Sequence, residues 1–379
     1  MIKNINEIIE LRRKIHQHPE LPFEEFCTTE LIEKYLDQIG LKLQRFENLE
    51  TGGFCDIGTG QNTILFRSDI DALPIVENDN NQFKSTISGV MHACGHDYHT
   101  AIGVGLLDYF GQNPISNNYM LRVVFQPGEE AAPGGAETVV DEDIWKGVKT
   151  VLAAHVVPGV SSGKVILSPG PVQASSTSIK IKLSGPGGHT SQPHNGIDLV
   201  YISSQYISQL QGSLRQIIDP RETLVFGFGS IQGGKSHNIY PQEIDLWGTV
   251  RTLDNQVLAT IQKYINEFST DFAKTTGIEI DVLFPTSCPA TINNDKFFTQ
   301  FMEFADQYSP EITVVKPAKS SLGADDFAHY TIRKPGLYLQ VGAGGNGALH
   351  TGELELDEQF LVPAIEMLSG FITYLTEKK

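Results

Sequence analysis

The stretch Met120–Glu130, MLRVVFQPGEE, decides the fold, because a nearly continuous apolar segment runs directly into two neighbouring carboxylates. Continuous apolar character over a short run is typical of a strand that is covered by helices on both faces of a parallel sheet. Two similar segments occur at Thr63–Phe66 and Val151–Val157, and a helical pattern over about residues 99–110 precedes the quoted stretch. The first 170 residues therefore predict an α/β domain.

Between residues 177 and 284 the apolar residues recur with a different period. Four segments alternate apolar and polar residues, which is the pattern of strands with one wet face, and two helical patterns separate them. The order β-α-β-β-α-β is that of a ferredoxin-like unit. The strands are predicted at about residues 177–183, 224–228, 244–250 and 278–284, and the helices at about 196–214 and 255–275.

After Pro285 the chain returns to the first pattern, with a helix at about 295–308, a buried strand at Gly336–Val341 and a last helix at about 357–377. The sequence therefore predicts two domains. The first, of residues 1–174 and 287–379, is an α/β domain with a mixed, largely parallel sheet. The second, of residues 175–286, is an α+β ferredoxin-like domain inserted into it.

Composition excludes several classes of protein. The 379 residues carry 28 basic and 45 acidic side chains, a net charge of −17, which disfavours nucleic acid and anionic membrane surfaces as partners. No apolar run approaches the roughly 20 residues that span a bilayer, and the N-terminal residues lack the apolar core of a signal peptide. The four cysteines are scattered, which argues against a disulfide framework. We expect a soluble, cytoplasmic protein.

The segment Met91–His99, MHACGHDYH, has the highest density of metal-binding residue types. Thiolate and imidazole are preferred ligands of zinc-like ions, so Cys94 and His96 are candidates. The alternative is a buried cysteine among surface histidines.

Glu129 and Glu130 stand at the end of a buried strand, where one carboxylate can hold a metal while the other takes a proton from water. An acidic surface turn is the alternative there.

Other strand ends carry further candidates. His155 lies within an apolar strand and His350 follows the glycine-rich loop Gly342–Gly347, although a lone histidine in such a place is more often structural. Asp69 and Asp71 follow the strand at 63–66, with a spacing that suits orientation of a histidine ligand. Four strand ends that each carry an acid or a histidine predict a metal site, with two ions.

Two further motifs contain candidate functional residues. The glycine-rich loop at 342–347 fits G-x-G-x-x-G, but no helical pattern follows it, which disfavours a dinucleotide site. In the inserted domain, His189 stands on a glycine-shaped turn that leaves it free to point outside its own domain. An exposed loop histidine is the alternative.

With these residues assembled, the chain resembles the metal-dependent amidohydrolases and aminoacylases of bacteria and plants. Hippurate hydrolase, N-acyl-amino-acid amidohydrolases, N-acetyldiaminopimelate deacetylase and the hydrolases of indole-acetyl-amino acids belong to that family. The motifs that carry the resemblance are Arg12–Glu20, Arg67–Pro74, Met91–Asp97, Gln126–Glu130, Gly187–His194, Gly248–Thr252, Gly323–Phe327 and Leu349–His350.

The resemblance implies a dinuclear metallopeptidase-like catalytic domain in which Cys94 bridges two ions. Glu129 matches the general base. Asp69 and Asp71 match the aspartate pair after the first catalytic strand, in which Asp71 is expected to be the orienting residue. The implied metal ligands are Cys94, His96, Glu130, His155 and His350.

For the inserted domain, the resemblance implies a lid that also forms a homodimer or a higher homo-oligomer. His189 matches a histidine that stabilises the oxyanion, in relatives often that of the partner subunit. Asn238 and Arg251 match positions near the substrate carboxylate. Asp325 stands where relatives usually carry glutamate, a difference that concerns the substrate pocket and not the metal site.

The expected reaction is hydrolysis of the amide bond of an N-acyl amino acid, such as an N-acetyl or aromatic-acyl compound, to a carboxylate and a free amino acid. Thiolate and imidazole favour Zn²⁺, while the carboxylates also admit Mn²⁺ or Co²⁺. Two alternatives stay open: a dipeptidase, aminopeptidase or carboxypeptidase of the same fold, and a non-catalytic binding protein.

Overall fold

A computed structural model describes residues 2–78, 82–308, 311–317 and 319–378. The chain divides into two compact units. The first comprises Met1–Val172, Ile292–Lys319 and Asp326–Lys379, and the second comprises Gln173–Thr291 and Ser320–Asp325.

The first part of the chain contains both helices and strands: α1 (Ile5–Gln17), α2 (Phe26–Gln38), β1 (Gly53–Gly58), β2 (Asn62–Asp69), α3 (His96–Gln112), β3 (Tyr119–Gln126), α4 (Gly135–Val139), β4 (Val148–Val157), β5 (Lys164–Ile166) and β6 (Gly170–Gln173). The second unit follows with β7 (Ser176–Ser184), β8 (Gly188–His189), α5 (Leu199–Ile217), β9 (Leu224–Gly233), β10 (Ile239–Tyr240), β11 (Glu243–Thr252), α6 (Asn255–Thr276), β12 (Glu279–Leu283) and β13 (Ser287–Cys288). The chain ends with β14 (Thr291–Asn293), α7 (Asp295–Tyr308), β15 (Thr313–Val315), α8 (Ala328–Arg333), β16 (Gly336–Gly342) and α9 (Leu361–Glu377).

The first unit contains a seven-stranded sheet in the order β1-β3-β2-β4-β16-β5-β15. Its four central strands, β3, β2, β4 and β16, are parallel, whereas β1 and β5 run antiparallel to their neighbours β3 and β16. The prediction of a mixed, largely parallel sheet is confirmed, as are the strands predicted at 63–66, 120–125, 151–157 and 336–341. The carboxyl ends of the parallel strands lie at one edge, which is where α/β sheets place ligands.

Helices cover both faces of this sheet. The larger apolar core contains residues of α1, α2, α3, α7 and α9. A smaller core contains residues of α4 and α8, which pack with a different set of side chains from strands β2, β3, β4 and β16. Helix α3 is buried on nearly all sides, as expected of a helix packed between other elements and not of a surface helix. None of the helices in the described ranges is long and apolar enough to cross a membrane.

The second unit is built on an antiparallel sheet in the order β12-β7-β11-β9. Helices α5 and α6 bury their apolar sides against the sheet, with Leu183, Leu210, Leu246 and Ile265 in the core. The four strands and two helices predicted between residues 177 and 284 are confirmed as β7, α5, β9, β11, α6 and β12.

Candidate active site

The first unit brings together the five residues that the sequence analysis proposed as metal ligands. They come from four places: the start of α3, the turn after β3, strand β4 and the loop after β16. Gly95 stands between the first two ligands with φ +82°, and a Cβ atom there would lie 2.5 Å from Val156 Cγ2. A glycine is therefore required at this sharp turn into α3. The five residues are Cys94, His96, Glu130, His155 and His350.

The Cys94 thiol lies at the centre of this group. Its Sγ atom is 3.4 Å from Nε2 of His155 and 3.3 Å from Nε2 of His350. The ligand atoms of Cys94, His96 and His155 lie within 4.8 Å of one another, and so do those of Cys94, Glu130 and His350. Two groups of three ligands that share one thiol have the composition and spacing for two cations bridged by a thiolate.

Two properties of buried atoms in the site show whether these residues are suited to bind a metal ion: their hydrogen bonding and the pKa of the thiol. Nε2 of His96 is buried and makes no hydrogen bond within the described part of the chain. Buried polar atoms are normally paired, so each such atom requires an explanation. Burial also raises the pKa of the Cys94 thiol well above its usual range, and a nearby cation is the usual means of stabilising such a buried thiolate. The donor set therefore fits divalent cations.

Asp71 orients two members of the site. Its Oδ1 atom lies 3.1 Å from Nδ1 of His96, and its Oδ2 atom accepts a hydrogen bond from the backbone N–H of Glu130 at 2.9 Å. A carboxylate on one imidazole nitrogen fixes the ring and leaves the other nitrogen for a cation. Burial acts to lower the pKa of His96, but the charges of Asp69 and Cys94 and the bond to Asp71 outweigh it and raise the pKa well above its usual range.

Asp69 acts through a histidine that the sequence analysis left without a role. Oδ1 of Asp69 lies 2.5 Å from Nδ1 of His99, whose Nε2 accepts a hydrogen bond from the Val156 N–H at 2.9 Å. His99 therefore carries its proton on Nδ1. Both ring nitrogens are occupied, so His99 connects the end of β2 to β4 beside His155 and is not available as a ligand, although it lies close to Asp69 and His96.

Glu129 lies beside the ligands without belonging to the two groups that share the thiol. Its Oε2 atom is 3.9 Å from Nε2 of His96, and the ligand atoms of Glu129, His96 and Glu130 lie within 4.8 Å of one another. The residue is half-buried. A partly accessible carboxylate next to a cation-binding cluster is in a position to accept and return a proton.

The remaining predicted residues lie in the second unit. His189 is exposed, and its Nδ1 accepts a hydrogen bond from the Ser191 N–H at 3.1 Å, so the neutral ring carries its proton on Nε2. Asn238 lies close to His189 in the fold. Its backbone carbonyl oxygen accepts a hydrogen bond from the N–H of Thr190, the residue after His189. Arg251 lies on β11, and its guanidinium donates to the carbonyl oxygen of Leu322.

A buried polar network supports the strand ends in the first unit. Arg67 donates to Gln126 Oε1 at 3.0 Å and to Asp326 Oδ1 at 2.6 Å, and Gln126 donates to the same carboxylate at 2.9 Å. Asp326 also accepts from the N–H of Ala136 at the start of α4. None of these residues has a predicted role, although an arginine and a glutamine at the ends of strands that are otherwise apolar are a signal for such a network.

A second network involves Arg12 and His16, two residues of the motif Arg12–Glu20. Nε of Arg12 donates to Oδ2 of Asp97, the residue after His96, and Nδ1 of His16 lies 3.0 Å from the same oxygen. Nε2 of His16 lies 3.2 Å from Glu77. Burial acts to lower the pKa of His16, but the charge of Asp97 and the two hydrogen bonds outweigh it and raise the pKa to about 9. A protonated His16 thus holds α1 against the first turn of α3.

The parallel sheet, the two ligand groups sharing a thiol and the adjacent carboxylate together define a hydrolase that works with two metal ions. The chain belongs to the peptidase family M20/M25/M40, whose family model matches residues 65–374.

Relatives of known type agree with this assignment. The chain is 34% identical to N-acetyl-L-cysteine deacetylase of Bacillus subtilis, over 94% of this chain and 85% of the relative. It is 32% identical to N-acetyldiaminopimelate deacetylase of Priestia megaterium, over 97% and 98% of the two chains. Among solved structures it resembles the YXEP protein of Bacillus subtilis, described as a dinuclear metal binding peptidase, with a TM-score of 0.84, 29% identity and coverage of 99% of both chains.

Proposed function

We propose that this protein is a metal-dependent amidohydrolase that cleaves the amide bond of N-acyl amino acids. The observation that carries the proposal is the pair of ligand groups that share Cys94, with the Glu129 carboxylate beside them. The two deacetylases to which the chain is similar support an N-acyl amino acid as the substrate, with an N-acetyl group first among the acyl groups to test.

In this proposal five side chains hold two divalent cations. When bound, such cations polarise the amide carbonyl and lower the pKa of a water molecule. Thiolate and imidazole favour Zn²⁺, and the carboxylate also admits Mn²⁺ or Co²⁺. Asp71 keeps His96 and the backbone of Glu130 in place, and Asp69 acts indirectly, through His99. The five side chains are Cys94, His96, Glu130, His155 and His350.

Glu129 is the general base of this proposal. Its carboxylate accepts a proton from the attacking water and later donates it to the leaving amine. The adjoining Glu130 is occupied at the ligand cluster, with its Oε1 atom 3.0 Å from Nε2 of His350. The two neighbouring carboxylates therefore have separate roles.

We also propose that residues 175–286 form a ferredoxin-like lid on a catalytic domain of residues 1–174 and 287–379. His189 stabilises the oxyanion, since its Nε2–H is available as a donor, and Asn238 and Arg251 bind the substrate carboxylate. Self-association through the second unit and a cytoplasmic location complete the proposal. Strand β9 is the last strand of its sheet, and among the described residues it pairs with β11 on one side only. Its other edge and the exposed Val225 and Ile231 support association with a second copy of the chain. Light scattering in solution tests the oligomeric state.

A substrate panel tests the reaction. Metal-loaded enzyme is incubated with N-acetyl and N-benzoyl amino acids and, in parallel, with dipeptides that carry a free α-amine. We expect release of free amino acid from the N-acyl compounds, and loss of that release after chelation of the metal. Preferential cleavage of dipeptides would assign a peptidase activity instead, and absence of hydrolysis by metal-loaded protein would contradict the proposal.

A further inference from the structure

A buried carboxylate lies directly beneath the turn that carries Glu129. The side chain of Glu25 is fully buried. Its Oε1 atom accepts hydrogen bonds from two backbone N–H groups, that of Gly128 at 2.8 Å and that of Phe23 at 2.9 Å. Its Oε2 atom accepts a hydrogen bond from the Thr51 hydroxyl at 2.7 Å. One side chain thus joins three segments that are distant in sequence.

The two backbone groups that Glu25 binds belong to residues with positive φ angles. Gly128 has φ +65° and Phe23 has φ +67°, both in the left-handed region that a phenylalanine seldom adopts. The Phe23 ring lies against the turn, since a Cβ atom on Gly128 would come within 2.6 Å of it. Glycine adopts this conformation without strain, but a phenylalanine keeps it only where its surroundings determine it. The Glu25 carboxylate, which binds the Phe23 N–H, is part of those surroundings.

We propose that Glu25 is a positioning residue for the general base, holding the turn after β3 so that the Glu129 carboxylate faces the ligand cluster. Glu25 fixes the residue immediately before Glu129, and it does so from a buried place with no contact to a ligand of the cluster among its hydrogen bonds. This inference rests on the proposed function. Its physical basis is that a displacement of about 1 Å at a reacting group can reduce a rate by about 10²-fold.

The turn requires the acceptor oxygens of Glu25 and not its negative charge. Burial raises the pKa of Glu25 to about 7, so a neutral side chain is readily accommodated at this place. A glutamine of the same shape can accept both backbone hydrogen bonds through its carbonyl oxygen and donate through its amide to the Thr51 hydroxyl. An alanine loses all three bonds and leaves the buried N–H of Gly128 and the partly buried N–H of Phe23 without this acceptor.

The test compares Glu25→Ala and Glu25→Gln with the control Glu24→Ala, whose side chain is exposed on the adjacent residue. On an N-acyl amino acid that the wild-type enzyme cleaves, we expect Glu25→Ala to lower kcat by about 10- to 100-fold with KM little changed. We expect Glu25→Gln to keep at least a third of the wild-type kcat, which corresponds to an increase in the activation free energy of at most about 0.7 kcal/mol. We expect Glu24→Ala to match the wild type.

Amide hydrogen exchange gives a readout that does not depend on activity. We expect exchange at Phe23 and Gly128 to accelerate in Glu25→Ala and to stay at the wild-type rate in Glu25→Gln and Glu24→Ala. Wild-type protein that cleaves no N-acyl amino acid would overturn the proposed function alone, and the exchange rates would then decide the role of Glu25.

Three results would overturn the inference: unchanged kcat in folded Glu25→Ala, a loss in Glu25→Gln as large as that in Glu25→Ala, or unchanged exchange at Gly128. If Glu25→Ala does not fold, Glu25→Asp replaces it, because the shorter side chain keeps the charge but loses its reach to Gly128. Wild-type kcat in Glu25→Asp would also overturn the inference.

Discussion

Replacing His16 by glutamine tests whether a charged histidine stabilises the first unit. A pKa of about 9, against the ordinary 6.5, means that the folded chain favours the protonated ring by about 3 kcal/mol. Because the pKa is raised on folding, this contribution is fully present below about pH 6.5 and is lost as the pH rises through about 9. Burial acts to raise the pKa of Asp97, but Arg12 first and His16 second hold it well below its usual range.

Glutamine keeps a polar side chain but cannot be protonated. We therefore expect His16→Gln to lower the free energy of unfolding by about 3 kcal/mol near pH 6 and by a small fraction of that near pH 10. The chain has two tryptophans, Trp145 in the first unit and Trp247 in the second. Urea unfolding followed by fluorescence in a Trp247→Phe background therefore reports the first unit.

The matched control for this experiment is His18→Gln, which changes an exposed histidine at the end of the same helix. All variants are compared with equal metal content, because bound metal adds its own stabilisation. A difference between wild type and His16→Gln that does not change between about pH 6 and 10 would refute the reasoning, since only a charge that titrates in this range produces the predicted slope.

Three further predictions concern the proposed roles in the site. Glu129→Gln is expected to lower kcat by about 10²- to 10⁴-fold with metal content unchanged by elemental analysis, and unchanged turnover would contradict its role as base. Cys94→Ala is expected to reduce the content of both metals, because its thiol belongs to both ligand groups, and full occupancy would remove it from the ligand set. His189→Ala is expected to lower kcat by about 10²- to 10³-fold with metals intact. Activity that returns when this variant is mixed with Glu129→Gln indicates that the histidine acts across subunits.

Much of the fold could be predicted because the deciding signals are local. The strands at Thr63–Phe66 and Val151–Val157 are continuously apolar, and the strands of the second unit alternate, so each period indicates its own environment. The sequence analysis did not predict β1, which contains glycine at both ends and an aspartate, or the three-residue strands β5 and β15. The glycines and the aspartate interrupt the apolar pattern in β1, and β5 and β15 carry too few residues to establish a period.

The candidate ligands could be predicted because their residue types are rare in buried strands and at strand ends. The supporting contacts could not, because they depend on residues that only folding brings together. His16 and Asp97 are 81 positions apart, and Glu25 and Gly128 are 103 positions apart. In the sequence Glu24 and Glu25 look equivalent. The difference between an exposed and a fully buried carboxylate arises from the tertiary structure alone.

The position of β16 has a consequence for synthesis of this protein on the ribosome. This strand lies between β4 and β5 in the sheet, yet residues 158–335 emerge between β4 and β16. At the usual rate of translation, on the order of ten to forty seconds pass while β4 has no partner on that side. An unpaired strand edge invites pairing with other chains, so the nascent first unit needs protection during this interval. Only after β16 is in place does the chain reach His350, which makes a complete ligand set one of the last features that translation can supply.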